Sequence, residues 1–233
     1  MKKNLRICSL EHAKEEGAGK IADWAARRGH ALQVVRLDLG EPLPGVQAFD
    51  VLVMMGGAMN VYQYRDYPWL RRERELVAQA IESGKAVLGV CLGGQMIADV
   101  LGARVVQNAE REIGWFPVRQ TAAHELFAGF PAEYVAFSWH GDTFDLPVGA
   151  VRVAESEACA NQAFVYGDRV VGLQYHVEVT AEAVRSFLGG EDCVLPEGRF
   201  VQAVSALWTS TPDLAATDRG LEVLLDGLAA RVV

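Results

Sequence analysis

Val87-Leu88-Gly89-Val90-Cys91-Leu92-Gly93-Gly94-Gln95 is the stretch on which the fold reading turns. Ala86 to Val90 is an apolar run of the kind that a strand buried in a parallel sheet shows. Gly93 to Leu101 continues as a helix that ends at Gly102. A strand feeding directly into a helix is the unit of an α/β chain, and the same alternation surrounds it. Leu5 to Leu10 reads as a strand, and His12 to His30 as a helix with Ala18, Ile21, Ala22 and Ala25 at helical spacing. Leu32 to Leu37 and Val51 to Met55 read as strands, and Tyr67 to Ser83 as a helix. Pro68 suits the first turn of that helix, and Gly84 the position just past its end. The pattern predicts an α/β fold, with a mostly parallel central sheet and helices on both faces.

The second half changes character. Trp115 to Arg119, Tyr134 to Ser138, Val151 to Glu155, Gln162 to Tyr166 and Val170 to Tyr175 are short β-rich runs separated by turn signals such as Gly167-Asp168. Ala181 to Leu188 then reads as a helix, and two more are expected over Glu197 to Thr209 and Asp213 to Arg231. The expected organisation is a catalytic domain over residues 1–188 and a helical extension over 189–233 packed on the same domain. The apolar face of Leu221, Val223, Leu224, Leu225 and Leu228 is expected to pack back on that domain, with a homodimer or partner contact as the alternative.

The chain has 233 residues, 51% apolar and 22% charged, the balance of a globular protein rather than a disordered one. A net charge of −8 argues against nucleic acid or an anionic membrane as partner, since both require a basic face. The longest apolar runs fall far short of the ~20 residues of a membrane span, and the basic N-terminus is not followed by a long apolar segment. Four cysteines without metal-site spacing are too few for a disulfide scaffold, so a reducing cytoplasm is the expected compartment. No Walker or dinucleotide glycine pattern is present, and no nucleotide, metal or other cofactor is expected.

Cys91 stands at a strand-to-helix junction with glycines two positions before and after, the elbow that exposes a nucleophile on a sharp turn. Gly89 and Gly93 leave room for close backbone approach. The following helix N-terminus favours thiolate over thiol. The N–H of Leu92 points where an oxyanion would form. A core cysteine in a Gly-rich turn is the alternative. Downstream, Val170-Val171-Gly172-Leu173-Gln174-Tyr175-His176-Val177-Glu178 is an apolar strand running into His-x-Glu. Residues two apart in an extended segment share a side, so Glu178 lies where it can orient the His176 imidazole as a base for a thiol. An ordinary polar strand end is the alternative here. Met54-Met55-Gly56-Gly57 ends a buried strand in a turn whose N–H groups can supply a second oxyanion donor.

A Gly-Gly turn, a cysteine elbow and a later His-x-Glu, in that order on an alternating chain, resemble the class I (triad-type) glutamine amidotransferases. Within that family the chain is similar to the stand-alone, GMP-synthase-like group. Gly57-Ala58-Met59-Asn60-Val61-Tyr62, Glu112-Ile113-Gly114-Trp115, Trp139-His140-Gly141-Asp142-Thr143 and Ser156 to Phe164 carry that closer match. The resemblance covers roughly residues 5–188 and implies a flavodoxin-like sheet. It implies Cys91 as nucleophile forming a γ-glutamyl thioester, His176 as base and acid, and Glu178 as the group that orients His176. It further implies Gly57 and Leu92 as the oxyanion hole, and Gln95, Gly141 and Asp142 at the amino-acid end of glutamine. Two positions depart from the family pattern: Gly94 stands where a histidine is common, and Val177 where His-Pro-Glu has its proline.

The remaining motifs read more plainly. His12, His30 and His124 are expected at the surface or at helix ends, and Arg71-Arg72-Glu73-Arg74-Glu75 as a solvated helix face. Cys8 is expected in the core, Cys193 exposed, and His140 and Cys159 in substrate-shaping or packing roles. After Leu188 the chain carries no phosphate-binding motif, so an ammonia-consuming synthetase would be a separate chain. Three functions follow: a glutaminase-type amidotransferase feeding a separate partner, a free-standing hydrolase of γ-glutamyl peptides or amine conjugates, and a non-catalytic module. The last predicts a broken triad, and all three triad positions are filled.

Overall fold

The computed structural model describes residues 4–190 and 192–232. In chain order the elements of the first half are β1 (Arg6–Glu11), α1 (Gly19–Arg28), β2 (Ala31–Arg36), β3 (Val51–Met54), α2 (Trp69–Glu82), β4 (Ala86–Val90) and α3 (Leu92–Val100). Then come β5 (Val105–Gln120), β6 (Glu133–Phe144), β7 (Ala150–Glu155), β8 (Ala163–Tyr166) and β9 (Val170–Leu173). The chain closes with α4 (Ala181–Leu188), β10 (Phe200–Val201), α5 (Val204–Thr209) and α6 (Ala215–Ala230).

One sheet runs β10-β5-β7-β8-β9-β4-β3-β1-β2, with β6 paired to β5 outside that path. The pairs from β2 through β1, β3 and β4 to β9 are all parallel. β9-β8, β8-β7, β7-β5 and β5-β6 are antiparallel, which is why the sequence changes character after β4. Neighbouring residues on β3 point to opposite faces, as the strand period requires. Val51 and Val53 join one core with Ile21 and Trp24 of α1 and Leu224 of α6. Leu52 and Met54 join another with Leu70 and Val77 of α2 and Met96 of α3. The sheet is therefore covered on both sides, and β3, β4 and β9 are buried along their whole length. Among the described residues no helix is long and apolar enough to cross a membrane.

Local signals set several boundaries. Gly84 takes φ +67, and its N–H reaches Ile81 O at 3.0 Å, closing α2. Thr180 Oγ1 accepts from Ala183 N at 3.2 Å and starts α4. Elsewhere tertiary contacts override local preference. The segment 12–18 is irregular rather than helical, because Glu11 Oε1 accepts from Ala18 N at 3.1 Å and His12 turns inward. The helix expected from Glu197 begins only at Val204. Phe200 and Val201 pair instead with Glu112 and Ile113 on β5, and the Gln202 side chain bonds both Trp115 N and Trp115 O.

Helix α6 joins the main core. Leu221, Leu224, Leu225 and Leu228 are buried there, while Val223 is 40% exposed. Lys20–Asp218, Arg27–Glu222 and Arg28–Asp226 tie α6 to α1 along matching turns. Such exposed pairs contribute about 0–1 kcal/mol each, so the leucines carry the docking. Truncating the fully buried Leu224 to Ala is expected to cost about 2–5 kcal/mol. A single urea transition at lower midpoint would show α6 melting with the sheet. A separate early transition would show that it does not.

Candidate active site

Cys91 separates β4 from α3 with φ +53 and ψ −108, and among the described residues it is the only non-glycine at positive φ. Such backbone costs about 1–3 kcal/mol and persists only where its surroundings hold it. Here Cys91 N donates to Leu173 O at 2.8 Å, and Cys91 O accepts from Gln95 N at 3.0 Å. A Cβ on Gly89 would lie 2.3 Å from Gly93 O, and one on Gly93 2.3 Å from Met54 O. The two glycines therefore let α3 sit directly on the strands beneath it.

Past β9 the chain meets β6 through one bridge: His176 N donates to Phe137 O at 2.7 Å. The imidazole packs against the rings of Phe137 and Phe187. His176 Nδ1 lies 2.7 Å from Glu178 Oε1, and Val177 N donates to Glu178 Oε2 at 3.0 Å. The ring also stands close enough to the Cys91 side chain for the two to interact electrostatically. Burial alone would drive the imidazolium to lose its proton, but the Glu178 carboxylate and the Cys91 sulfur outweigh it, and His176 titrates well above 6.5. Gln174 Nε2 stands 3.7 Å from Cys91 Sγ, while Gln174 Oε1 accepts from Gln95 Nε2 at 3.2 Å.

Cys91 opens onto a cavity of about 540 Å³ whose lining includes Gly57, Leu92, Gln95, Arg111, Gly141 and Asp142. Asp142 O faces Gln95 Nε2 at 3.4 Å, and Asp142 Oδ2 accepts from Tyr62 at 2.8 Å. The structure thus gathers Cys91, His176, Glu178 and the five residues predicted around them at one end of the parallel strands. Among the described residues no group of three or more His, Cys, Asp or Glu side chains is placed to hold a metal.

Residues 19–188 match the sequence profile of "Glutamine amidotransferase class-I". This chain belongs to the class I glutamine amidotransferase family. The glutamine amidotransferase-like protein YfeJ of Salmonella typhimurium is 36% identical over 213 residues, covering 87% of this chain and 89% of that one. A glutamine amidotransferase from Thermotoga maritima superposes with a TM-score of 0.86 at 31% identity, over 97% of this chain and 99% of that one. A GMP synthase [glutamine-hydrolyzing] of Thermomicrobium roseum is 40% identical over 129 residues, which is 55% of this chain but 23% of that enzyme.

One departure from the pattern common in class I amidotransferases has a steric cause. A Cβ on Gly94 would lie 2.5 Å from Leu173 O, so no side chain fits there while α3 stays on β9. Three expectations are corrected. His12 is buried rather than at the surface, with Nε2 2.9 Å from Glu73 Oε1 and Nδ1 2.8 Å from Gly56 O. Glu73 is likewise buried and not on a solvated face. Cys193 is half-buried against α4 and α5 rather than exposed.

His140 is also buried, bonded to Glu112 at 3.0 Å and to Asp142 O at 3.0 Å, which braces the 139–142 stretch of β6. Burial pushes the Cys8 thiol up to about 12 and raises that of Cys159, so neither is poised as a thiolate.

Sequence reasoning missed Gln174 and Arg111. Gln174 lies two positions before His176, so the strand period carried its signal. Arg111 had no local signal. It reaches the cavity through a register shift in which Asn108–Arg111 stand opposite Gly141 alone, and a methyl on Gly141 would be 3.3 Å from Arg111 Nε.

Glu178→Gln removes the charge that lifts His176, so the ring is expected to titrate lower by NMR. His176 of the native chain titrates higher folded than its unfolded value of about 6.5. The stability it contributes is therefore complete below pH ~6.5 and lost as pH rises through the folded value. The gap in urea midpoint between the two proteins should narrow over that interval. A gap that widens would contradict the assignment.

Proposed function

We propose that this chain hydrolyses the side-chain amide of glutamine through a Cys91-bound γ-glutamyl thioester and releases ammonia to a separate partner. The observation that carries this reading is a strained Cys91 beside an imidazole whose Nδ1 rests 2.7 Å from a buried carboxylate. The His176 imidazolium holds the proton that the Cys91 thiol gives up, and the thiolate attacks the amide carbon. As the C–S bond forms, the oxygen gains negative charge facing the N–H groups of Gly57 and Leu92. Leu92 opens α3, so its N–H has no partner within the helix. The C–N bond then breaks, and His176 returns its proton to the leaving nitrogen. Water attacks the thioester, His176 accepts its proton, and glutamate leaves as the C–S bond breaks. Glu178 holds the ring in the tautomer that each step needs. The thiol must stay reduced, which agrees with a cytoplasmic setting.

Substrate recognition follows from charge. Arg111 and Asp142 place one cation and one carboxylate in the lining of the cavity, the complement of an amino acid's α-carboxylate and α-amine. Gln95 Nε2, which faces the Asp142 carbonyl at 3.4 Å, lines the same cavity. The cavity volume, about 540 Å³, falls within the range of about 300–1,000 Å³ that holds drug-sized ligands. That room supports a second reading, in which the same chemistry cleaves γ-glutamyl peptides or amine conjugates with no partner.

The purified chain should be given glutamine and a panel of γ-glutamyl amides. Ammonia release from glutamine that depends on a second chain supports the partner reading, and fast partner-free turnover of conjugates replaces it with the hydrolase. Cys91→Ser should abolish both, and undiminished activity would refute the thioester. Arg111→Ala is expected to raise KM by about 10–100-fold, the equivalent of about 1.5–3 kcal/mol for a lost charged hydrogen bond, with kcat within threefold.

A further inference from the structure

The His12 and Glu73 side chains are 0% and 1% exposed, and the mechanism above uses neither. Glu73 points from α2 into a face it shares with Leu70, Leu76 and Val77, where a leucine would serve packing as well. Removing an ion pair from water is costly, and apolar replacements are often as stable. The pair is therefore not explained by stability.

Its contacts say what else it does. His12 Nε2 meets Glu73 Oε1 at 2.9 Å, Nδ1 meets Gly56 O at 2.8 Å, and Trp69 stacks on the ring at 5.5 Å. A carbonyl only accepts, so Nδ1 carries a proton and donates to Gly56 O. Burial opposes a charge on the ring, but Glu73 and the Gly56 carbonyl outweigh it and raise His12 above its usual value. The peptide that His12 grips needs an external anchor. A Cβ on Gly56 would lie 2.1 Å from Glu16 Oε2 and 3.1 Å from His176 Cε1. One on Gly57 would fall within 3 Å of Met59, His12 and Leu92 side-chain atoms. A side chain at either position would have to displace its neighbours, and glycine leaves the peptide plane free to rotate.

We propose that His12, locked by Glu73, is a positioning residue that holds the Gly56 carbonyl and thereby turns the Gly57 N–H into the pocket toward Cys91. The peptide is trans, so its C=O and N–H point to opposite sides. Fixing the oxygen on the His12 side directs the N–H to the side where Gly57 and Cys91 line the same cavity. The inference rests on the reading of Gly57 as an oxyanion donor.

The test uses three variants of the full chain. His12→Leu/Glu73→Leu leaves no unpaired charge and should fold with a denaturation midpoint no lower than the parent. Its kcat should fall about 10–100-fold, up to the loss of one oxyanion donor, with KM within twofold. Alkylation of Cys91 by iodoacetamide needs a thiolate but no oxyanion hole, so its rate should not change. Glu73→Gln lets a neutral imidazole keep Nδ1–H on Gly56 O, and should retain kcat within threefold. His12→Asn/Glu73→Leu restores an amide donor near the Nδ1 position and should recover at least a third of kcat, which a purely structural role would not require. A double-leucine variant with native kcat overturns the proposal, as does a loss of kcat matched by equal loss of alkylation. The Gly57 amide resonance gives a readout without substrate. It should shift in the double-leucine variant and stay in Glu73→Gln, and an unmoved resonance overturns the clamp. Failure of the native chain to turn over any γ-glutamyl amide would remove the hydrolytic reading instead, leaving the clamp to be judged on that resonance.

Discussion

A cysteine at φ +53 sits in backbone that an L-residue avoids, and much of the molecule is arranged around keeping it there. The strand before it is buried between β3 and β9. Its N–H is held by β9, and the helix after it rests on those strands through glycines that tolerate no side chain. β9 both anchors the Cys91 amide and leads, three residues later, into His176. Cys91 and His176 are thereby placed by the same strand pairing. Displacing β9 would lose the strained turn and the His176 contact together.

Three buried histidine–glutamate pairs surround this turn: His176–Glu178, His12–Glu73 and His140–Glu112. Each histidine uses its second nitrogen, or its second contact, on a different part of the site. His176 stands beside the Cys91 side chain, His12 meets Gly56 O, and His140 meets Asp142 O. Glu112 is itself held by Gln162 at 2.6 Å and by Ser156 at 3.3 Å. A buried imidazole with one nitrogen committed to a carboxylate presents the other in a fixed protonation state and direction. Repeated three times, the arrangement stiffens each wall of the cavity separately.

Much of this was legible in the residues because the signals were local. The apolar run before Cys91, the flanking glycines and the spacing of His176 and Glu178 each encode their geometry within a few positions. What was hidden depended on partners far along the chain. His12 and Glu73 lie 61 positions apart, and each reads as polar surface alone. Treating Arg71 to Glu75 as a charge run concealed the helical phase: Glu73 is three positions from both Leu70 and Leu76, on the inward face. β10 has two residues and exists only because β5 offers an edge. β5 itself looked short, since the polar stretch before Glu112 breaks the apolar pattern while the strand pairing continues on both sides of it.

That irregular stretch separates two kinds of change that the chain can undergo. Cys91, His176 and Glu178 depend on β4, β9 and the bridge to β6, whereas Arg111 rides on four residues that bow out of β5. Pairing resumes at Glu112 opposite His140, so the bow can lengthen, shorten or alter its charge without shifting the register beyond it. Descendants of one ancestral chain could therefore vary the charge and shape of this side of the cavity while inheriting Cys91, His176 and Glu178 in an unchanged arrangement.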